Sequence, residues 1–310
     1  MILCCGEALI DMLPRRTVAR EAAFAPYPGG AVFNTAIALG RLGAPTGFFS
    51  GISSDLFGQM LTAALADAGV DYGLAVIADR PTTLAFVRLE AGQARYAFYD
   101  ENTAGRMLSA DDLPDLPDSV DAIFFGGISL MVEPCATVYE QLMARESAAR
   151  VTMIDPNIRA AFISDPRVYR ARLDRLIALA DIVKLSDEDL SWLEGDGEVA
   201  ALARGLLAKG PSLVLITEGA AGARAFSAGD EVFVPAERVE VTDTVGAGDT
   251  FNAGILAALH RAGRLSKAAL AGIDAAAMET ALRLGIRAAA VTVARAGANP
   301  PWSKELSCEP

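Results

Sequence analysis

Short apolar runs separated by longer stretches with helical spacing govern what this chain can fold into. Ile2–Leu9, Thr46–Ser50, Ala122–Phe125, Val151–Ile154, Ile182–Leu185, Leu213–Thr217 and Ala290–Val293 have the continuous apolar character of strands buried on both faces. Between them, Asp55–Ala68 places Phe57, Leu61 and Leu65 on one stripe with Met60, Ala64 and Ala68 beside it, and Gly69 follows as a natural stop. Thr137–Ala149, Val168–Ala180 and Glu198–Ala208 repeat that pattern. Strand followed by helix, several times over, predicts an α/β fold with a mainly parallel sheet covered by helices on both faces.

Two stretches break the rhythm. Asp11–Pro28 has no helical period and carries Pro14, Pro26 and Pro28; Val70–Tyr99 holds strand-like pieces at Thr83–Leu89 and Arg95–Tyr99. These are expected to pair into a small β-sheet, a lid of residues 11–28 and 70–99. Residues 1–10, 29–69 and 100–310 then form the α/β part. A cover of this kind excludes water from a site; plain surface hairpins are the competing reading.

The richest stretch in chemistry is Asp243-Thr244-Val245-Gly246-Ala247-Gly248-Asp249-Thr250-Phe251-Asn252. A glycine-rich turn opens into a helix whose stripe runs through Phe251, Ile255 and Leu259. Unpaired amides and the positive end of the dipole make such a start an anion site, and Gly246 and Gly248 keep side chains out of the way. Asp249 in the first turn would be held ionised by the dipole, ready to take a hydroxyl proton beside bound phosphate; a simple helix cap is the alternative. A second pair, Gly29-Gly30 before a helix with Asn34 in its first turn, suits a polyol or a plain helix start. Asp11, past the first strand, and Arg159, past the strand Val151–Ile154, fall at the strand ends where ligands bind in open α/β sheets.

Charge and composition remove other classes. The formal net charge is -12 and no basic run of five residues occurs, which argues against a nucleic-acid partner. The N-terminus has neither a signal-peptide pattern nor the length of a membrane span, so a cytoplasmic location is expected. Cys4, Cys5, Cys135 and Cys308 form no CxxC pair and His260 is the single histidine, so a zinc site is unsupported and the thiols read as buried and reduced. There is no GxxxxGK[ST] loop, no strand-associated GxGxxG and no GxSxG elbow.

The Asp243–Asp249 stretch resembles the C-terminal signature of the ribokinase-like (PfkB) carbohydrate kinases, and Gly29-Gly30 with Asn34, Gly40 and Gly43 resembles their N-terminal one. The resemblance runs nearly the whole chain. It implies a Rossmann-like domain with a β lid, and ATP with Mg2+. It implies Asp249 as the base, Gly246, Ala247 and Gly248 as the anion hole, and Asp11, Gly30 and Asn34 against the sugar. It further implies Lys184, Thr217, Gly219 and Gly222 along the nucleotide, together with Gly246 and Gly248. A potassium site near Asp243, Thr244 and Ala290–Gly297 is a further implication. The family's Asn-x-x-Glu motif, tied to Mg2+, reads Ser186-Asp187-Glu188-Asp189 here, which keeps a carboxylate at Asp189 but loses the Asn.

Within the family the pattern is most similar to the fructokinases, on Gly6–Asp11, Phe98-Tyr99 and Lys184-Leu185-Ser186. Phe98 and Tyr99 are accordingly expected at the sugar. The nearest rival, 2-keto-3-deoxygluconate kinase, handles an anionic sugar. Asp100 after Tyr99 would repel that sugar, although Arg95, Arg106 or Arg159 could offset it. The primary expectation is transfer of phosphate from ATP to a primary hydroxyl of a ketose. A sugar-binding regulator without catalysis is the reading from another class. Open lid edges could pair between subunits, which allows a homodimer through the lid and leaves the oligomeric state open.

Overall fold

The computed structural model describes residues 1–90 and 93–306, with the backbone alone at 88–90, 93–96 and 161. Fourteen strands and ten helices are seen among them. The N-terminal third holds β1 (Ile2–Cys5), β2 (Leu9–Arg16), β3 (Ala22–Gly29), α1 (Ala31–Arg41), β4 (Thr46–Phe49), β5 (Gly51–Ser53), α2 (Leu56–Asp67), β6 (Val76–Ala78), β7 (Leu84–Glu90) and β8 (Gln93–Tyr99). The middle holds β9 (Ala122–Gly126), α3 (Cys135–Glu146), β10 (Val151–Asp155), α4 (Pro166–Leu179), β11 (Ile182–Ser186), α5 (Asp187–Glu194), α6 (Val199–Leu207), β12 (Leu213–Thr217), β13 (Gly222–Phe226) and β14 (Glu231–Pro235). Then come α7 (Ala247–Arg261), α8 (Lys267–Ala271), α9 (Ala275–Val293) and α10 (Ser303–Leu306).

The main sheet has the order β14-β13-β12-β11-β10-β9-β1-β4. Its strands from β4 to β12 are parallel, and β13 and β14 add antiparallel. Strands β1, β4, β9 and β10 are buried at every position, because helices cover both faces and leave no wet side. Alternation along β1 divides the core: Ile2 and Cys4 pack with α1, α7 and α9, whereas Leu3 and Cys5 pack with α3, α4 and α6. Cys4, Cys5 and Cys135 are buried and free, and Cys308 lies outside the described residues. No helix among the described residues is long and apolar enough to cross a membrane.

A separate sheet, ordered β3-β2-β7-β8, rises from the carboxyl end of β1. Its extent differs from the sequence expectation. The run Ile2–Leu9 is broken at Gly6–Ala8, so the small sheet begins at Leu9, and Gly29 is its residue rather than the main body's. Residues 70–83 stay outside it: Asp71 bridges Gly47, and β6 pairs with β5 in a two-stranded ribbon. Ala290–Val293 is the last turn of α9, not a strand. Three β-branched residues in a row, Val291 to Val293, mimic a strand, but the alanines before them continue a 19-residue helix that packs along α7.

Candidate active site

Helix α7 starts on Gly246, whose φ of 77° is a left-handed turn that only glycine adopts cheaply. No side chain among the described residues caps this start. The Ala247 N–H already donates to the Thr244 carbonyl at 3.3 Å, so the anion-binding capacity of the turn rests less on Ala247 than its position in the motif implies. Gly246, Ala247, Gly248 and Asp249 all line a cavity of about 320 Å³. The cavity opens where β1, β9, β10 and β11 end, so Glu7, Gly127, Asp155 and Lys184 meet the start of α7 there.

Asp249 is 7 % exposed and its Oδ2 accepts from Asn34 Nδ2 at 2.9 Å. Thr35 Oγ1 donates to the Asp249 carbonyl at 3.2 Å, which ties α1 to α7. The two motifs, far apart in sequence, thus form one constellation. The dipole does not hold Asp249 fully ionised at neutral pH as expected. Burial pushes its carboxyl up to about 7; the Asn34 bond and Lys184 pull it back, and Asp155 and Glu7 push further. Asp11 lines the same cavity from β2, pushed up to about 6 by burial. Gly29 is beside it because any Cβ there would collide with Asp11 Oδ2. Gly30 also lines the cavity. Phe98 faces the cavity from β8 and meets Phe162 of the main body edge-on, ring centres 4.5 Å apart.

Beyond Asp249 lies a buried polar cluster. Lys184 Nζ is 3.0 Å from Asp155 Oδ2, which also accepts from Asn252 Nδ2 at 2.6 Å. A Cβ on Gly248 would sit 3.3 Å from that ammonium, so the glycine admits lysine to the helix start. Asp189 accepts from the Ile158 N–H, and burial followed by repulsion from Asp155 raises its carboxyl. Ser186, in the place of the family's Asn, caps α5: its Oγ accepts from the Asp189 N–H at 3.0 Å. Arg159 lines the cavity with an exposed side chain.

Other expected residues are placed differently. Tyr99 is 64 % exposed and meets Phe86 edge-on, because strand alternation turns it to the face opposite Phe98. Thr217 ends β12, Gly222 begins β13 and Gly219 lies in the turn between them, all outside this cavity's lining. Thr244 lines the cavity, while Asp243 braces its loop by accepting from the N–H groups of Val245 and Gly297. That does place the Asp243 loop against the 293–297 stretch. Asp100 cannot act on the sugar as expected: Thr83 and Thr103 donate to it, Arg106 is 3.7 Å away, and it does not line the cavity. Arg106 is thereby also turned to Asp100, and the Arg95 side chain lies outside those described. Sequence reasoning missed Glu7, Asp155, Asn252 and Phe162; the carboxyl-end position of Glu7 and Asp155 after β1 and on β10 was the available signal.

Comparison with known proteins gives one consistent result. The model of the pfkB family carbohydrate kinases matches residues 1–305. A fructokinase of Rhizobium leguminosarum bv. trifolii is 56 % identical over 285 residues, 92 % of this chain and 86 % of that protein. A solved fructokinase from Xylella fastidiosa with bound ATP superposes with a TM-score of 0.89 at 31 % identity, covering 99 % of this chain and 97 % of that one. The fructokinase of Vibrio cholerae O395, solved as a double mutant with fructose, ADP and a potassium ion, gives 0.84 at 26 % identity over 96 % and 93 %.

Proposed function

Because the chain belongs to the pfkB family of carbohydrate kinases, we propose that it transfers the γ-phosphoryl group of ATP to a primary hydroxyl of fructose. The observation that carries the mechanism is the Asn34–Asp249 bond at an uncapped helix start, in a cavity that Glu7, Asp11 and Asp155 also line. The sugar hydroxyl gives its proton to Asp249, and its oxygen forms the new bond to the γ-phosphorus. The bond from that phosphorus to the β-phosphate oxygen breaks, and ADP leaves. Asn34 keeps the Asp249 carboxylate aimed, the α7 amides and the Lys184 ammonium face the charge that spreads over the phosphoryl oxygens, and the lid excludes water.

Cavity charge favours a neutral sugar over the anionic 2-keto-3-deoxygluconate. Glu7, Asp11, Asp155 and Asp249 line it against Lys184, which Asp155 already pairs, and the exposed Arg159. Mg2+ would fit the buried Asp155 and Asp189, since burial and repulsion from Asp155 make the bare Asp189 charge costly and a cation would relieve that cost while neutralising phosphate charge. Among the described residues no three metal-binding side chains converge, which suits an ion held largely by the phosphates of ATP and by water. A potassium ion would belong at the junction of the Asp243 loop with residues 293–297; the Vibrio fructokinase was solved with a potassium ion, which makes activation worth measuring here. The lid sheet, with β3 and β8 as open edges, supports a homodimer.

The test is Asp249→Asn assayed with ATP and fructose. Loss of the base should lower kcat by about a hundredfold or more while sugar binding survives. Near-normal turnover would remove Asp249 from the mechanism. Sugar binding by the wild type without turnover on any sugar would favour the regulator reading instead.

A further inference from the structure

Glu7 is a buried carboxylate in the cavity wall that the phosphoryl-transfer steps do not use. It follows β1 and is 8 % exposed. Its Oε1 accepts from the Ala31 N–H at 3.0 Å, and its Oε2 accepts from the Ser129 N–H at 3.2 Å. Its own carbonyl accepts from the Phe33 N–H at 3.3 Å. One residue thereby supplies acceptors to the first turn of α1 and to the turn that follows β9.

The reason lies in Gly30. This residue is the N-cap of α1, and as a glycine it has no side chain with which to cap. A larger residue is excluded, since a Cβ at Gly30 would come within 2.9 Å of the Glu7 carbonyl. The missing cap comes instead from 24 positions earlier in the chain. Across the carboxylate, Gly127 has φ 68° and any Cβ on it would collide with Glu7 Oε1. Both glycine turns are shaped around this one side chain, and both line the cavity.

We propose that Glu7 is a positioning residue of the sugar subsite: it holds the Gly29–Gly30 turn and the Gly127–Ser129 turn at one separation and so sets where the sugar rests relative to Asp249. The connection to the reacting group is short. Glu7 fixes Ala31, the same helical turn carries Asn34, and Asn34 holds Asp249. The nucleotide side of the cavity, around Lys184 and the start of α7, receives no bond from Glu7. A selective effect on sugar is therefore required. This inference rests on the sugar-kinase reading above.

Three variants test it: Glu7→Gln, Glu7→Asp and Gly127→Ala. The amide keeps the shape but turns a donor toward one of the two N–H groups. The shorter acid keeps the charge but withdraws it, and the added methyl displaces the carboxylate from the other side. Wild-type turnover on a sugar panel comes first and fixes the acceptor. If that acceptor is not fructose, the substrate reading fails by itself, and the variants are compared on the sugar that is used; if none is turned over, sugar Kd replaces KM. Each variant is expected to raise sugar KM about tenfold or more, the scale of one misplaced hydrogen bond to a charged group, and to leave ATP KM within about twofold. Unchanged sugar KM in both Glu7 variants overturns the proposal. So does an equal rise in both KM values, or loss of folded protein in all three, since each outcome makes Glu7 a general stability residue.

Discussion

A carboxylate at 7 % exposure loses most of its water, and the α7 start, Asn34 and Lys184 do not recover all of that solvation; Asp249 is consequently held up to about 7. The sign matters for catalysis. A raised acid is protonated below its folded value, so Asp249, the proposed base, is ionised above about 7 and loses that charge as pH falls through it. The expected kcat/KM for the sugar falls by about tenfold between pH 8 and pH 6, following the ionised fraction of the free enzyme. An activity profile flat across that interval would assign the proton to another group. The glycines around Asp249 and the acid itself were legible in the sequence, because a glycine turn entering a helix is a local pattern. The raised pKa was not, because the burial that raises it, the Asn34 bond that opposes it and the Asp155 charge that adds to it all come from the assembled fold. The place of Glu7 after β1 was a signal, but its role was not legible, since its partners Ala31 and Ser129 stand 24 and 122 positions away.

Helices carry the site, and the crossing of α7 with α9 fixes where the α7 start points. The two pack through glycine: a Cβ on Gly254 would lie 2.6 Å from Gly285 Cα, and one on Gly285 would lie 2.9 Å from the Phe251 ring. Alanine is the better helix former by about 0.5–1 kcal/mol, yet overpacking such a contact costs roughly 1–3 kcal/mol. Overpacking wins, so Gly254→Ala should destabilise the protein by about 1–2 kcal/mol in urea unfolding and lower kcat by tilting the α7 start. Gly205 in α6 has open space around it. Gly205→Ala should therefore stabilise by about 0.5–1 kcal/mol. Equal signs for the two would refute the packing account. Elements with clear periodicity, such as α2 and α6, were legible to within a residue or two. Ala290–Val293 was not, because a four-residue apolar window holds too little period to separate a strand from the end of a helix.

At the scale of the whole molecule, the alternation of apolar runs and helical stretches foretold the main sheet, since parallel strands need covering helices. The lid was legible only as a break in that rhythm. Its extent was not, because residues 70–83 also hold a short strand, β6, and only the neighbour it pairs with, β5 rather than a lid strand, separates it from the lid. The two faces of the lid now divide the work. Phe98 and Asp11 face the cavity, while Phe24, Phe86 and Tyr99 form an edge-to-face row on the other side, with ring centres 5.0 and 5.4 Å apart. Phe24 is 45 % and Tyr99 64 % exposed, a costly surface for a monomer to leave in water. A second copy laid lid to lid would cover that row and bring the open edges β3 and β8 under protection. The expected outcome is a dimer in sedimentation equilibrium that Phe24→Lys with Tyr99→Lys converts to monomer. The paired variant should remain folded, because both side chains stand at the surface rather than in the core. A wild-type monomer at about ten micromolar, where an interface with a Kd of about 1 μM would be mostly associated, would show that the aromatic row serves the lid's own stiffness. In that case the lid must keep its shape over the sugar without help from a second chain.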